Sequence, residues 1–161
     1  MKQEFGNQQN KQNSPELSYE YIRGLVEGEG CFTFCPTYKK ANGRYVRVPQ
    51  FIIGMHERDN ELLILIRNKL GLKNRIYRRK KQGINNIKVS VLTVRDFKQL
   101  KNIIIPLFYK KLTGYKGIQF IEWLEKIGSD PDISDRYKSL YRLYKWGMYD
   151  KLPKFTEKFK E

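Results

Sequence analysis

The sequence predicts an α+β domain of order αββαββα, built around a four-stranded antiparallel sheet with extra helices at its C-terminal end. Three observations predict it. Leu62, Leu63, Ile66 and Leu70 recur at helical spacing, as do the apolar residues of Tyr115 to Ile127. Two pairs of β-rich runs lie between such stretches, and each pair is joined by a short polar connection that contains glycine. Because the strands come in hairpin pairs separated by helices, the sheet is antiparallel.

Each element has a local reason. Ser18 followed by Tyr19, Glu20, Tyr21 and Ile22 reads as an N-cap and a first turn carrying an acid, so a helix runs from there to about Glu27. Cys31 to Cys35 and Tyr45 to Ile53 form the first hairpin across a polar connection with Gly43. The second helix starts at Asp59 and stops at Gly71. Arg75 to Lys80 and Ile87 to Val94 form the second hairpin through Gln82 and Gly83. A third helix over about Arg95 to Ile105 should end before Pro106, and a fourth, Tyr115 to Ile127, should be closed by Gly128. After Ser129-Asp130-Pro131-Asp132 a last helix begins near Ser134, with Tyr137, Leu140, Tyr141 and Tyr144 on one packing face. Residues 1–13 are Gln/Asn-rich and read as an arm, residues 14–128 as the domain, and residues 129–161 as its helical extension.

Composition narrows the function. With 161 residues the chain is long enough for one domain with a real core. Its 32 Lys and Arg against 17 Asp and Glu give a net charge of +15, spread along the whole length, and a polyanion is the natural partner. The 40% hydrophobic content excludes a disordered basic chain. No run has the eighteen or more apolar residues of a membrane span, and the first residues lack the apolar centre of a signal peptide, so the chain reads as soluble, intracellular and unsecreted. Cys31 and Cys35 on one strand stand about 13 Å apart at roughly 3.3 Å per residue, too far to pair. With His56 the only histidine, structural zinc has no ligand set.

The most informative stretch is Ile22-Arg23-Gly24-Leu25-Val26-Glu27-Gly28-Glu29-Gly30-Cys31-Phe32. Gly24 and Gly28 lie four apart on one helix face, where each costs about 1 kcal/mol relative to Ala. A small-xxx-small face offsets such a loss by letting another backbone approach closely. Glu29 then sits at the helix C-terminus, where the dipole disfavours a carboxylate unless a cation meets it.

This stretch resembles the signature nonapeptide of the LAGLIDADG homing endonucleases. Ile22 to Gly30 stand in order for its nine residues, with Arg23 in place of Ala, Glu27 for the first Asp and Glu29 for the second. The resemblance runs from about Ser18 to Trp123. It implies the family's saddle-shaped sheet lying in the DNA major groove, and a single motif implies the homodimeric branch, with Gly24, Leu25 and Gly28 at the dimer interface. It also implies that Glu29 and the Gly28 carbonyl hold Mg²⁺ or Mn²⁺ for phosphodiester hydrolysis, oxygen ligands suiting such ions. Lys116 matches the basic residue that such families place near the scissile phosphate, where its charge would stabilise the transition state. The chain departs from the pattern at Met55 and His56, where many relatives carry Gln; His56 or Arg58 could take that place. The family slightly favours an organelle as the compartment.

For the DNA face, alternation directs Phe32 and Phe34 to the core and Cys31, Thr33 and Cys35 outward. Ile76 marks the core side of its strand, so Arg75, Tyr77 and Arg79 project together. Ile87, Val89 and Val91 are expected to point in, and Lys88 and Ser90 out. Arg and Lys read guanine edges, and Ser, Thr and Gln read several bases. Lys39, Lys40, Arg44, Lys80 and Lys81 lie in hairpin connections, suited to phosphate contact. Both faces of Tyr45 to Ile53 contain apolar residues, so its phase stays open; Arg47 and Gln50 are the candidates there. The expected function is a homodimeric endonuclease that breaks both strands of a long, roughly palindromic DNA site, as in intron homing. The alternative is an intron maturase or other non-cleaving binder of RNA or DNA on the same fold.

Overall fold

The computed structural model describes residues 15–80 and 87–161. The expected arm, the Gln82-Gly83 turn and Lys81 lie outside the described residues. Helix α1 (Tyr19–Glu29) is capped by Ser18, whose hydroxyl accepts the Tyr21 N–H at 3.0 Å. Strands β1 (Gly30–Lys39) and β2 (Tyr45–His56), a 3₁₀ turn at Glu57–Asp59 and helix α2 (Asn60–Leu70) follow. Gly71, at φ 72°, ends α2 in the left-handed conformation. Strands β3 (Tyr77–Lys80) and β4 (Lys88–Val94) complete one sheet of order β1-β2-β4-β3, antiparallel throughout.

Helix α3 is composite. Asp96 caps Phe97–Gln99 by accepting the Gln99 N–H at 3.0 Å, a π-turn spans Leu100–Ile104, and Ile105–Phe108 completes it. The expected stop before Pro106 is not observed. The helix runs through Pro106, which falls in the first turn of the last piece, where its missing N–H and fixed φ cost little. Helix α4 (Tyr115–Ser129) also passes the expected stop at Gly128. There a Cβ would stand 2.5 Å from the Tyr141 ring, so this glycine serves close packing instead. Helix α5 (Asp135–Lys145) and two single turns, α6 (Met148–Lys151) and α7 (Pro153–Thr156), end the chain.

One apolar core unites these elements. Phe32 stands at its centre, with ring centroids of Phe120, Phe51, Trp123 and Phe108 at 5.0, 5.2, 5.3 and 5.6 Å. The Trp123 indole donates to the Thr33 carbonyl at 2.8 Å and fixes α4 against β1. Leu140, Tyr149, Phe155 and Phe159 are buried in the same core, with Tyr137, Tyr141 and Tyr144 packed against it. The C-terminal stretch therefore covers the back of α1. Glu161 accepts the Tyr19 N–H at 2.6 Å, and the buried Arg23 donates from Nε to the Leu107 carbonyl at 2.7 Å.

Candidate nucleic-acid interface and cleavage site

The end of α1 sorts its two acids. Ile22 and Val26 are fully buried, which turns Gly24 and Gly28 to the surface, with Leu25 half-buried beside them; Glu29 is exposed because it is the last residue of the helix. A Cβ on Gly24 or Gly28 would meet nothing within 4 Å among the described residues, so this face of α1 is open. Glu27 points the other way. Its carboxylate accepts the backbone N–H groups of Thr113 at 2.6 Å and Gly114 at 2.9 Å, and so caps α4 from a different helix. A Cβ on Gly114 would lie 2.5 Å from Glu27 Oε2, so a larger residue there would push the carboxylate out of this position. This cap ties the start of α4, with the half-buried Lys116 in its first turn, to the end of α1 where Glu29 sits. Glu29 is exposed and has no hydrogen-bond or ion-pair partner among the described residues. Gly30 opens β1 in extended conformation against Val26, whose Cγ1 lies 2.5 Å from where a Cβ would be, so helix passes into strand without a loop.

The register defines the open sheet face. Phe51, Ile53 and Met55 share the helix-packed side with Phe32, Val94, Leu92 and Ser90. The opposite side carries Cys31, Thr33 and Cys35 of β1, Val48, Gln50, Ile52, Gly54 and His56 of β2, Val89, Val91 and Thr93 of β4, and Tyr77 and Arg79 of β3. Arg95 reaches this side too, its guanidinium 3.2 Å from Cys35 Sγ, and the Arg75 guanidinium lies 5.6 Å from the Tyr77 ring centroid. No carboxylate belongs to these strand positions, so no acid of the face repels a polyanion.

The LAGLIDADG endonuclease family matches over residues 22–127, most of the chain. The chain belongs to that family. Among solved structures, the LAGLIDADG homing endonuclease I-LtrWI bound to target DNA is similar at 25% identity and TM-score 0.57, over 84% of this chain and 40% of that one. I-GzeII in complex with its DNA target is 24% identical with TM-score 0.56, over 81% of this chain and 43% of that one. The homing endonuclease I-TnaI is 20% identical with TM-score 0.52, over 82% of this chain and 99% of its own length. The LAGLIDADG chain described here thus spans about two-fifths of the length of the first two relatives.

Against this LAGLIDADG fold, several expected DNA-contact residues change place. Ser90 is fully buried on the packed side and its hydroxyl donates to Asn60 Oδ1 at 2.8 Å; that partner at the start of α2 lets a polar residue face inward. The phase of β4 is therefore the reverse of the expected one: Val89 and Val91 face the open side and Lys88 shares the side of Ser90. Arg47 and Gln50 fall on opposite faces, Gln50 on the open one. Arg47 turns to the α4–α5 connection, where Nε and Nη2 each stand 2.7 Å from Asp130 Oδ2. That bond holds the buried Asp130 carboxyl below the usual carboxylate range and raises Arg47. Lys40 and Arg44 are engaged by the neighbouring Asp132, at 3.2 and 2.9 Å, so these two are hairpin anchors as well as surface cations.

His56 and Arg58 do not converge on Glu29 by any contact. His56 Nδ1 accepts the Arg58 N–H at 3.1 Å and starts the 3₁₀ turn, while the Arg58 side chain is 79% exposed and only 3.9 Å from Asp59. Thr33, Tyr77, Arg79 and Gln50 fall on the side expected for them, Arg75 precedes β3 with its guanidinium over the Tyr77 ring, and the exposed Lys39 sits at the end of β1. The sequence reading missed Ile52, Val89, Val91, Thr93 and Arg95 on this face. Only the pairing register exposes them, because Val-Ser-Val-Leu alternation reads equally well in either phase. As for a metal, the Glu29 carboxylate and the last-turn Gly28 carbonyl are hard oxygen donors of the right type. One copy contributes a single free acid, and no group of three or more His, Cys, Asp or Glu gathers among the described residues.

Proposed function

We propose that this chain is a homing endonuclease that acts as a homodimer and makes a double-strand break in a long, pseudo-palindromic DNA site by hydrolysing phosphodiester bonds. The reading rests on one observation: an open Gly24–Gly28 stripe on the exposed side of α1 leads to Glu29, a carboxylate with no partner among the described residues, at the edge of a sheet face that carries no acid at its strand positions.

Two copies would bring their α1 helices together along that stripe, since neither glycine has a neighbour among the described residues of its own chain. Each copy then presents one Glu29 near the symmetry axis, one for each DNA strand. Oxygen donors from two copies and from DNA would complete what a single chain lacks for Mg²⁺ or Mn²⁺, held by Glu29 and the Gly28 carbonyl. When bound, such an ion supplies an activated water and stabilises the attacking and leaving oxygens. Lys116 adds positive charge where the phosphate becomes more negative, and its helix is set in place by the Glu27 cap. Arg75, Tyr77, Arg79, Gln50 and Thr33 face the bases, and Lys39 faces phosphates.

The test is cleavage of a plasmid library with randomised targets, in Mg²⁺ and in Ca²⁺, by the wild type and by Glu29→Gln. Discrete cutting only in Mg²⁺ and only by the wild type is expected, with Glu29→Gln retaining DNA uncut. Tight retention without cutting by the wild type would overturn the nuclease reading and make RNA the next ligand to try.

A further inference from the structure

The open sheet face is graded. Glu29 is level with Gly54, since Gly30 pairs with Ile53. In the rows closest to it, Cys31–Ile52–Thr93, Gly54–Val91–Tyr77 and His56–Val89–Arg79, the positions on β2 and β4 are apolar or small except His56, and Tyr77 and Arg79 stand at the β3 edge. Val91 is only 5% exposed yet lies outside the core cluster, with Cγ2 4.0 Å from where a Gly54 Cβ would be. It forms a floor between Ile52, Val89 and Thr93, each half-buried. Toward the β1–β2 tip the face becomes polar at Thr33 and Gln50, and Arg95 follows Val94 there. Arg79 and Arg75 flank the other side.

A sheet face in a major groove meets donors, acceptors and one apolar group, the C5-methyl of thymine. Burying Ile52 and Val89 against hydrogen-bonding base edges would leave those edges without partners, whereas a methyl group removes apolar surface from water on both sides. We propose that Ile52 and Val89, on the floor of Val91, read thymine methyl groups in the inner part of each half-site, next to the scissile phosphates. The inference rests on the DNA-binding reading above and adds the base class that these residues select. The cationic flank of Arg75, Arg79 and Arg95, with no carboxylate at the strand positions of the face, identifies the occupant as nucleic acid rather than an acid-bearing protein helix.

The experiment first selects bound sites from randomised duplex DNA with the wild-type protein, then replaces thymine by deoxyuridine at the enriched inner positions. Enrichment of thymine there is expected, with about a fourfold loss of affinity for each methyl removed, the value of one buried CH₂ group. Ile52→Ser and Val89→Ser, which remove every methyl group from these positions, should bring the thymine-to-deoxyuridine ratio toward one at their own positions while leaving outer-position preferences unchanged. Specific binding with no inner thymine preference, or equal affinity for both duplexes, overturns the inference and leaves the endonuclease reading intact. Absence of any specific DNA binding overturns both. The wild-type comparison of the two duplexes decides the matter even where a variant fails to fold.

Discussion

Arg23 sits where the family nonapeptide has Ala, is 6% exposed, and makes three interactions whose worth can be separated. Nε donates to the Leu107 carbonyl at 2.7 Å, in a buried setting where a hydrogen bond from a charged group is worth about 2 kcal/mol. Nη2 reaches the Phe159 carbonyl at 3.3 Å, a longer bond that we take at about 0.5 kcal/mol. Nη1 meets Glu20 at 2.9 Å, but that carboxylate is 75% exposed and contributes no more than about 0.5 kcal/mol. Arg23→Met keeps most of the volume and relieves the desolvated guanidinium, which returns about 1 kcal/mol. The net expectation is a loss of about 2 kcal/mol, or a fall in Tm of roughly 4–8 °C at this chain length. Urea unfolding with an unchanged slope should show it. Glu20→Gln is the internal control and should cost less than about 0.5 kcal/mol. An Arg23→Met protein as stable as the wild type would refute the claim that Arg23 ties α1 to Leu107 of α3 and to Phe159 of the C-terminal stretch, and an equal cost for Glu20→Gln would assign the effect to the ion pair instead.

Three other changes separate roles along the site. Glu27→Ala removes the cap of α4 and should cost about 1–2 kcal/mol in urea unfolding, while Glu29→Gln leaves stability unchanged; equal melting of the two variants would contradict the sorting of the acids. Gly24→Leu has free space in its own chain and gains up to about 1 kcal/mol of helix propensity, so it should melt no lower than the wild-type monomer yet sediment as a monomer; a wild-type dimer signal from this variant would remove the α1–α1 arrangement. Asp130→Asn cannot serve both sides of its site, because Oδ1 accepts the Asp132 N–H while Oδ2 accepts Arg47, and an amide puts a donor on one of them. Since Asp130 titrates below its ordinary value when folded, its contribution is present above the unfolded value of about 3.9 and disappears as pH falls through the lower folded one. The stability gap between wild type and Asp130→Asn should therefore be widest at pH 7 and shrink progressively as pH falls below about 4, and a gap independent of pH would show that the carboxylate charge is irrelevant.

Much of this architecture is legible in the chain because its signals are local. The Ser18 cap, the Gly71 stop and the two hairpin runs depend on neighbours within one turn or one strand, and each is where the sequence places it. Pro106 and Gly128 look like helix stops and are not. The first lies behind a π-turn that re-phases the helix, and the second answers to Tyr141 on a different helix. Arg47 shows the same limit on the site. A basic residue on a strand in a DNA-binding sheet reads as a base contact, but its face depends on pairing with Pro36, and its partner, Asp130, is 83 residues away.

The sequence by itself determined the family, the order of elements, the charge that calls for a polyanion and the helix carrying Gly24, Gly28 and Glu29, because these are written in composition and contiguous motif. Only the tertiary structure decided which acid is free. Glu27 and Glu29 stand two residues apart with identical side chains; what separates them is that the chain entering α4 at Thr113 and Gly114 has N–H groups that claim Glu27 and leave Glu29 to the surface. It also decided which face of β4 looks outward, since a period-two pattern carries no sign until a partner strand and the Asn60 amide fix it.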